Sequence, residues 1–240
     1  MQVSFRNAIT GGKKISAKSY IQDGLIAMWD GVENAGWGVH DPNATTWKDL
    51  IGNLDATTVN SPTFGEDSTD TSGGYWRIPS NAREIVEVQS MSCEAVFQPT
   101  YSSNNPDNQG VIGFGENRSV WLYFGIQPLA SNASLNWQFR NSAAIRVWQN
   151  NGIFGRGKHS STLVNDNNVC NCFLDATERT ITKDVTGGTA TSEEIYSIGY
   201  IYRYRNFYGK IHCIRVYSRA LTESEIAHNY AIDRKRFGVP

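Results

Sequence analysis

Short strand-like runs separated by turn residues fill the sequence from residue 90 onward, and this spacing restricts the fold more than any other feature. Runs such as residues 91–97 alternate between side chains suited to a core and side chains suited to a surface. Asn-, Ser- and Gly-rich pieces separate one run from the next. Short strands at this spacing are typical of packed antiparallel sheets and not of alternating strands and helices. We therefore predict an all-β fold, an antiparallel two-sheet β-sandwich with a short C-terminal helix.

Two stretches within this region give more detailed predictions. Residues 160–164 and 169–174 flank the sequence Asn-Asp-Asn-Asn at 165–168, which favours a hairpin turn. Residues 178–183 have the composition of one further strand. We therefore expect a hairpin centred on 165–168 and a single strand over 178–183.

The last strand-like run, residues 207–221, leads directly into a helix start. Thr222 can cap the helix, and Glu225, three residues later, completes a capping box. Leu221 and Ile226 are spaced to form the hydrophobic contact that often accompanies such a start. We predict that the helix buries an apolar stripe formed by Ile226, Tyr230 and Ala231. Its last turn is basic, with Arg234, Lys235 and Arg236, and the helix ends before Gly238.

Length and charge limit the possible partners. A chain of 240 residues is a usual size for a single β-sandwich. It has 22 basic and 23 acidic residues, so no bulk charge favours nucleic acid or an acidic membrane. No apolar run reaches the roughly 20 residues of a membrane span, and residues 1–20 lack the apolar centre of a signal peptide. We predict neither a nucleic-acid nor a membrane partner.

The four cysteines do not form a zinc pattern. Cys170 and Cys172 are two residues apart on a predicted strand, so they share a face and are poorly placed to bridge each other. Cys93 and Cys213 stand alone, and no Cys-x-x-Cys pair is present. We predict buried, reduced, structural thiols and synthesis in a reducing cytoplasm. Either the protein has no export signal of its own, or one has been removed from the sequence.

The first 22 residues differ from the rest of the chain. They contain a Gly-Gly pair and several cations, with little apolar periodicity. We predict an N-terminal arm over residues 1–22 and a single domain over 23–240. The arm is either loosely attached or docks on a neighbouring subunit.

Several motifs, in this order and spacing, resemble laminin-G-like, concanavalin A-like jelly-roll domains. Gly-Leu-x-x-x-Trp occurs at 24–29 and Trp-x-Asp-x-x-Gly-Asn at 47–53. A late Ile-Gly lies at 198–199, and the closing Phe-x-Gly-x-Ile to Arg-Val-Tyr-Ser-Arg-Ala-Leu occupies 207–221. The resemblance extends over about residues 23–237 and implies the jelly-roll sandwich. It does not imply one function, because this fold is used by lectins, adhesins, hydrolases and virion proteins.

Hydrolases of the laminarinase type on this fold carry Glu-x-Asp-x-x-Glu on one strand. Retaining hydrolysis needs two carboxylates about 5–5.5 Å apart. No Glu in this chain is followed two residues later by Asp. Glu223 and Glu225 are explained by the predicted helix N-terminus. We therefore expect a protein that is not an enzyme.

Calcium is the cofactor that the resemblance suggests, because these domains often hold one in a rim loop. Asp49, Asn53 and Asp55 offer oxygen ligands close together in sequence, and Asp67 and Asp70 are a second cluster. The alternative is that Asp49 and Asn53 fix a turn by accepting hydrogen bonds from the backbone. No cofactor is required under that alternative.

Two groups of residues are candidates for ligand binding. In the run 200–204 three tyrosines alternate with other residues, so an extended chain puts three phenols on one side. Such a surface suits sugar rings and protein interfaces alike, and its structural alternative is a tyrosine-lined sheet. The second group lies in an irregular loop. The candidates are Tyr200, Tyr202, Arg203 and Tyr204 in the first group and Trp37 and His40 in the second.

Two functional hypotheses follow. In the first, the chain is a non-catalytic, lectin-like component of a bacteriophage virion surface, with host glycans as ligands and other virion proteins or its own copies as partners of the arm. In the second, it is a bacterial secreted or cell-surface carbohydrate-binding or adhesion module. A glycoside hydrolase is a distant third.

Overall fold

A computed structural model of the chain describes residues 15–85, 89–100, 109–116, 120–128, 133–141, 143–148, 155–167, 169–180, 182–184, 195–201 and 205–240. Strands dominate these residues, and two short 3₁₀ helices occupy Ala17–Ser19 and Ser80–Ile85. The α-helix α1 spans Glu223–Phe237. The strands are β1 (Leu25–Asp30), β2 (Thr46–Trp47), β3 (Ala56–Asn60), β4 (Thr63–Phe64), β5 (Thr69–Asp70), β6 (Gly74–Arg77), β7 (Ser90–Pro99), β8 (Gln109–Glu116), β9 (Val120–Pro128), β10 (Ala133–Asn141), β11 (Ala143–Trp148), β12 (His159–Asp166), β13 (Val169–Leu174), β14 (Thr177–Arg179), β15 (Thr182–Asp184), β16 (Ile195–Ile198), β17 (Arg205–Asn206) and β18 (Gly209–Tyr217).

The described strands form two sheets, which confirms the predicted β-sandwich class. Sheet A has the order β14-β13-β12-β7-β18-β5-β4, and β1 also pairs with β18. Sheet B has the order β15-β11-β10-β9-β8-β16-β6-β3-β2. Neighbouring strands are antiparallel except for β17, which runs parallel to β8 in sheet B.

The main core lies between the two sheets. Phe97 of sheet A meets Phe124 of sheet B edge to face, with ring centroids 5.1 Å apart. Phe124 stacks on Trp137 at 4.2 Å. The indole N–H of Trp137 donates to Ser161 Oγ at 2.8 Å, so this buried donor is satisfied. Alternating side chains of both sheets therefore close a continuous apolar interior.

The predicted hairpin is confirmed, but the predicted strand over 178–183 is wrong. β12 and β13 pair antiparallel with Asp166 opposite Val169 at the turn. Strand β14 pairs with β13 in sheet A, whereas β15 pairs with β11 in sheet B. The chain changes sheet between Arg179 and Thr182, and composition alone does not reveal such a crossing.

Helix α1 begins and ends as predicted. Thr222 and Glu225 form the capping box, and Gly238 adopts the left-handed conformation after the last turn. The described residues include no helix that combines the length and apolar character needed to cross a bilayer. The predicted apolar stripe is only partly right, because Tyr230 is half-buried and Ala231 is exposed. The buried face consists of Ile226, Asn229, Ile232, Asp233 and Phe237.

This buried face is partly polar because the outer face of sheet A beneath it carries charges. Arg215 donates from Nε to Glu94 Oε2 at 2.7 Å and from Nη1 and Nη2 to the two oxygens of Asp233 at 2.8 and 2.9 Å. Asn229 donates to Glu94 Oε2 at 2.8 Å. All four side chains are buried. Around Glu94 and Arg215, sheet A is therefore covered on both faces, by the core on one and by α1 on the other.

Residues 15–22 of the predicted arm pack against this domain. Ala17 and Tyr20 are buried, and Tyr20 Oη donates to Asp233 Oδ1 at 2.8 Å. The Ile21 backbone N–H donates to Asn229 Oδ1 at 3.0 Å. Residues 1–14 lie outside the described residues, so the arm stays a prediction there.

All four cysteines are buried and free, as predicted. Cys170 and Cys172 both point into the main core, which confirms that they share a face. Burial raises the pKa of the Cys93, Cys172 and Cys213 thiols well above the ordinary range. Protonated, buried thiols are inert, and their role is packing.

Candidate functional site

The predicted calcium ligand Asp49 is held by the backbone. Its Oδ1 accepts hydrogen bonds from the N–H groups of Met28 at 2.9 Å and Ile51 at 3.1 Å. Its Oδ2 accepts from the N–H of Leu54 at 3.2 Å. The side chain is buried, so these donors replace water around the carboxylate. This geometry favours the turn-fixing alternative.

The neighbouring oxygens are also occupied. Asp55 Oδ1 accepts from the Asp49 backbone N–H at 3.0 Å, and Asp55 Oδ2 pairs with Lys48 Nζ at 2.5 Å. Asn53 is exposed. Within the described ranges, no three His, Cys, Asp or Glu side chains are grouped so that they could hold a metal ion. A calcium site at Asp49, Asn53 and Asp55 stays a prediction.

The second acidic cluster is bound by cations and backbone. Asp67 Oδ2 pairs with Lys158 Nζ at 3.0 Å, and His212 Nδ1 lies 3.4 Å from Asp67 Oδ1. Burial alone raises the pKa of Asp67, but the hydrogen bonds and charges of His212 and Lys158 lower it well below the ordinary range. Asp70 Oδ1 accepts from the Ser72 N–H at 2.9 Å. Each of these carboxylates thus has a structural role.

Replacing Asp49 with Ala tests the turn-fixing role. Three backbone N–H groups lose their acceptor, so we expect the free energy of unfolding in urea to fall by about 1–3 kcal/mol. Wild-type protein should melt at the same temperature in calcium and in chelator, because backbone donors already occupy the carboxylate. A calcium-dependent rise in melting temperature that Asp49→Asn abolishes would contradict this account and establish a metal site.

The loop that carries Trp37 and His40 is ordered by side-chain hydrogen bonds. Asn34 Nδ2 donates to the Asp41 carbonyl at 2.7 Å, and the Asp41 N–H donates to Asn34 Oδ1 at 2.8 Å. The loop tip leaves 36% of Trp37 and 51% of Val39 exposed. His40 is half-buried beside them. The structure therefore presents an aromatic ring at a braced tip.

The exposed outer face of sheet B carries a second aromatic surface. Strand β6 alternates around buried Trp76, so Tyr75 and Arg77 both face outward. Tyr75 stacks on Tyr200 with ring centroids 4.8 Å apart and an angle of 24° between the planes. Arg77 Nη2 donates to Tyr75 Oη at 3.3 Å. Unlike the outer face of sheet A, this face keeps Thr57 and Arg77 exposed.

A tight turn positions Tyr200 over the sheet. Ser197 Oγ donates to the Tyr200 carbonyl at 2.5 Å. Gly199 lies at φ +85°, and a Cβ there would stand 2.5 Å from Thr71 Cγ2. This turn brings Tyr200 back onto Tyr75. A larger residue at 199 would therefore disturb the stacked pair.

The structure places some predicted site residues and not others. Tyr200 belongs to the stacked pair, and Trp37 and His40 share the braced loop. The predicted ligand residues Tyr202, Arg203 and Tyr204 lie outside the described residues. Sequence reasoning missed Tyr75 and Arg77, although their alternation with Trp76 was a usable signal.

Comparison with known proteins decides the family. The sequence matches the profile of the concanavalin A-like lectin/glucanases superfamily over residues 70–227, which is more than half of the chain. The chain belongs to this superfamily. A search of curated protein sequences found no match.

Several solved structures share this fold over most of the chain. A sialidase from Trypanosoma rangeli in complex with sialic acid matches with a TM-score of 0.61 and 15% identity, over 88% of this chain and 33% of the sialidase. Domain 4 of AbnA, a GH43 extracellular arabinanase from Geobacillus stearothermophilus in complex with arabinotriose, matches with a TM-score of 0.62 and 14% identity. This match covers 86% of this chain and 98% of the arabinanase domain. Botulinum neurotoxin type C, whose cell entry depends on interaction with two ganglioside molecules, matches with a TM-score of 0.58 and 14% identity. This match covers 87% of this chain and 51% of the neurotoxin chain. At these identities the likeness shows the fold alone, and the chain spans about a third of the sialidase.

Proposed function

We propose that this chain is a non-catalytic glycan-binding module whose binding surface is the outer face of sheet B. The observation that carries this proposal is the stacked pair Tyr75–Tyr200 with Arg77 beside it. The C–H groups of a sugar ring pack on flat aromatic faces, and a guanidinium donates several hydrogen bonds to hydroxyl groups. The three side chains together supply both kinds of contact, two of them from strand β6 and the third from the turn after β16.

The comparisons support glycan binding by analogy of fold. Domain 4 of the arabinanase was solved with arabinotriose, and 98% of that domain matches 86% of this chain. Botulinum neurotoxin type C is described as interacting with gangliosides. Because one fold hosts many functions, the analogy only raises the expectation that the aromatic surface described above takes a sugar.

The positions of the buried carboxylates support a non-catalytic role. Glu94 of sheet A and Asp233 of α1 share the guanidinium of Arg215, and both are buried between the sheet and the helix. Asp30 pairs with Arg236 at 2.5 Å, and Glu33 lies 3.5 Å from the same guanidinium. A retaining glycosidase needs two carboxylates on either side of the scissile bond. These two pairs are buried and each is bound to a guanidinium instead.

We place the module on the surface of a bacteriophage virion, as a decoration, fibre or tail component, with host glycans as ligands. Four free, buried thiols support synthesis in a reducing compartment. A bacterial secreted or cell-surface adhesion module is the alternative. Native mass measurement with electron microscopy separates the two, because the virion proposal expects symmetric assemblies or particles and the alternative expects a monomer.

Replacing Tyr75 with Ala tests the binding surface. A glycan array first identifies a ligand, and titration calorimetry then compares the variants. Loss of one ring of the stacked platform should weaken binding about tenfold, which corresponds to about 1.4 kcal/mol. Tyr200→Ala should have a similar effect because the two rings form one surface.

The matched control is Val169→Ala, which changes an exposed apolar residue of sheet A, 55% accessible. It should leave the affinity unchanged. Equal affinity of wild type and Tyr75→Ala for every array ligand would contradict the proposed surface.

A further inference from the structure

We infer that Trp37 and Lys18 form a second glycan contact that selects a sugar residue bearing a carboxylate. This inference deepens the proposed glycan-binding function but concerns a separate surface. Lys18 Nζ lies 5.0 Å from the centroid of the Trp37 ring. Both residues are exposed, so the ammonium that lies over the indole and the uncovered part of that ring are presented to solvent together.

One buried carboxylate fixes the two segments that carry these side chains. Glu33 Oε1 accepts from the backbone N–H of Ala17, next to Lys18, at 2.9 Å. Glu33 Oε2 accepts from the backbone N–H of Gly38, next to Trp37, also at 2.9 Å. The segment around Lys18 and the loop tip at Trp37 are thus both held by the Glu33 carboxylate. The site is pre-organised, which reduces the entropy lost on binding.

The charge of Lys18 is left available. Glu33, which accepts hydrogen bonds from both backbones, already lies with its Oε1 3.5 Å from Arg236 Nη2 and is buried. Within the part of the chain that the structure describes, Lys18 contacts the Trp37 ring but forms no ion pair. An exposed ammonium that rests on an aromatic face and lacks an anionic partner suits an anionic ligand.

A carboxylated pyranose fits this pair. Its C–H face packs on the accessible part of the indole while its carboxylate meets the ammonium. A neutral sugar gains the first contact only. From the strength of exposed ion pairs we expect the acidic sugar to bind about fivefold more tightly than its neutral counterpart, and the difference to shrink with salt.

The test uses two acidic probes with matched neutral partners, in a Tyr75→Ala/Tyr200→Ala background that removes the sheet B surface. Trigalacturonic acid and sialyllactose are each compared with their own methyl ester by titration calorimetry. The first pair represents uronic acids and the second represents sialic acids. We expect at least one acidic probe to show the fivefold preference, Lys18→Gln to erase it and Lys18→Arg to retain it.

Trp37→Ala should remove binding of both members of a pair, and all variants should melt as the parent does because the changed side chains are exposed. The inference is overturned if Lys18→Gln keeps the preference, if both members of each pair bind equally, or if the parent binds neither acidic probe. Failure of the sheet B proposal is a different result, namely unchanged binding in Tyr75→Ala.

Discussion

Replacing Arg215 with Met should lower the free energy of unfolding at neutral pH by about 3–5 kcal/mol, because it leaves two buried carboxylates without their cation. Arg215 makes three hydrogen bonds to Glu94 and Asp233, all between 2.7 and 2.9 Å. All three side chains are almost completely buried. Urea denaturation followed by circular dichroism measures the loss.

The loss should depend on pH in a defined direction. Burial raises the pKa of Glu94 above its ordinary value of 4.5 even with Arg215 in place. Without the cation the folded state holds protons more tightly still, so it binds more protons than the unfolded state. The destabilisation of the variant is therefore largest above the raised pKa of Glu94 and shrinks as the pH falls toward the ordinary carboxyl range.

Two comparisons isolate the cause. Arg219→Met breaks a partly exposed pair with Glu225, whose oxygens lie 2.9 and 2.6 Å from Nη1 and Nη2 of Arg219, and should cost no more than about 1 kcal/mol. Adding Glu94→Gln and Asp233→Asn to Arg215→Met should recover part of the stability and remove the pH dependence. Equal losses in Arg215→Met and Arg219→Met would show that the buried charges do not govern stability.

Local patterns made the architecture predictable from the sequence. The capping box of α1 requires only Thr222 and Glu225, three residues apart, and the 165–168 turn lies between two clear strands. The alternation in residues 91–97 separates the side chains that enter the main core from those that face outward, but the structure buries the outward set as well, beneath α1. These signals depend on neighbours in the chain, so tertiary structure does not have to be known to interpret them.

The polar face of α1 and the stacked tyrosines were not predictable in the same way. Asn229 binds Glu94, which is 135 positions away, so the helix sequence alone gives no reason to bury an amide. Tyr200 reaches Tyr75 because of the turn at Gly199, whose packing against Thr71 is also distant in sequence. The pairing of Lys18 with Trp37 joins the predicted arm to a loop. Each of these features depends on contacts between remote segments.

Replacing Tyr20 with Ala should lower the free energy of unfolding by about 3–5 kcal/mol, the usual cost of removing a large buried aromatic side chain. Tyr20 is 2% exposed, and its hydroxyl donates to Asp233 at 2.8 Å. Its ring lies 4.0 Å from the guanidinium carbon of Arg215. The variant therefore opens a cavity and admits water to the buried charges. Chemical denaturation and differential scanning calorimetry measure the effect.

Ile15→Ala is the matched control, because it lies in the same segment but is 36% exposed. It should change stability by no more than about 0.5 kcal/mol. Tyr20→Phe keeps the ring but removes the donor to Asp233. Its loss of unfolding free energy should lie between those of Ile15→Ala and Tyr20→Ala. If Tyr20→Ala is as mild as Ile15→Ala, residues 15–22 do not pack on their own domain in solution, and the docking of this segment on a neighbouring subunit becomes the better explanation. A large loss of unfolding free energy in Tyr20→Ala, which we expect, instead confines a docking role to residues before Ile15. The segment around Tyr20 is then needed to keep water away from the ion pairs of Arg215 in its own chain.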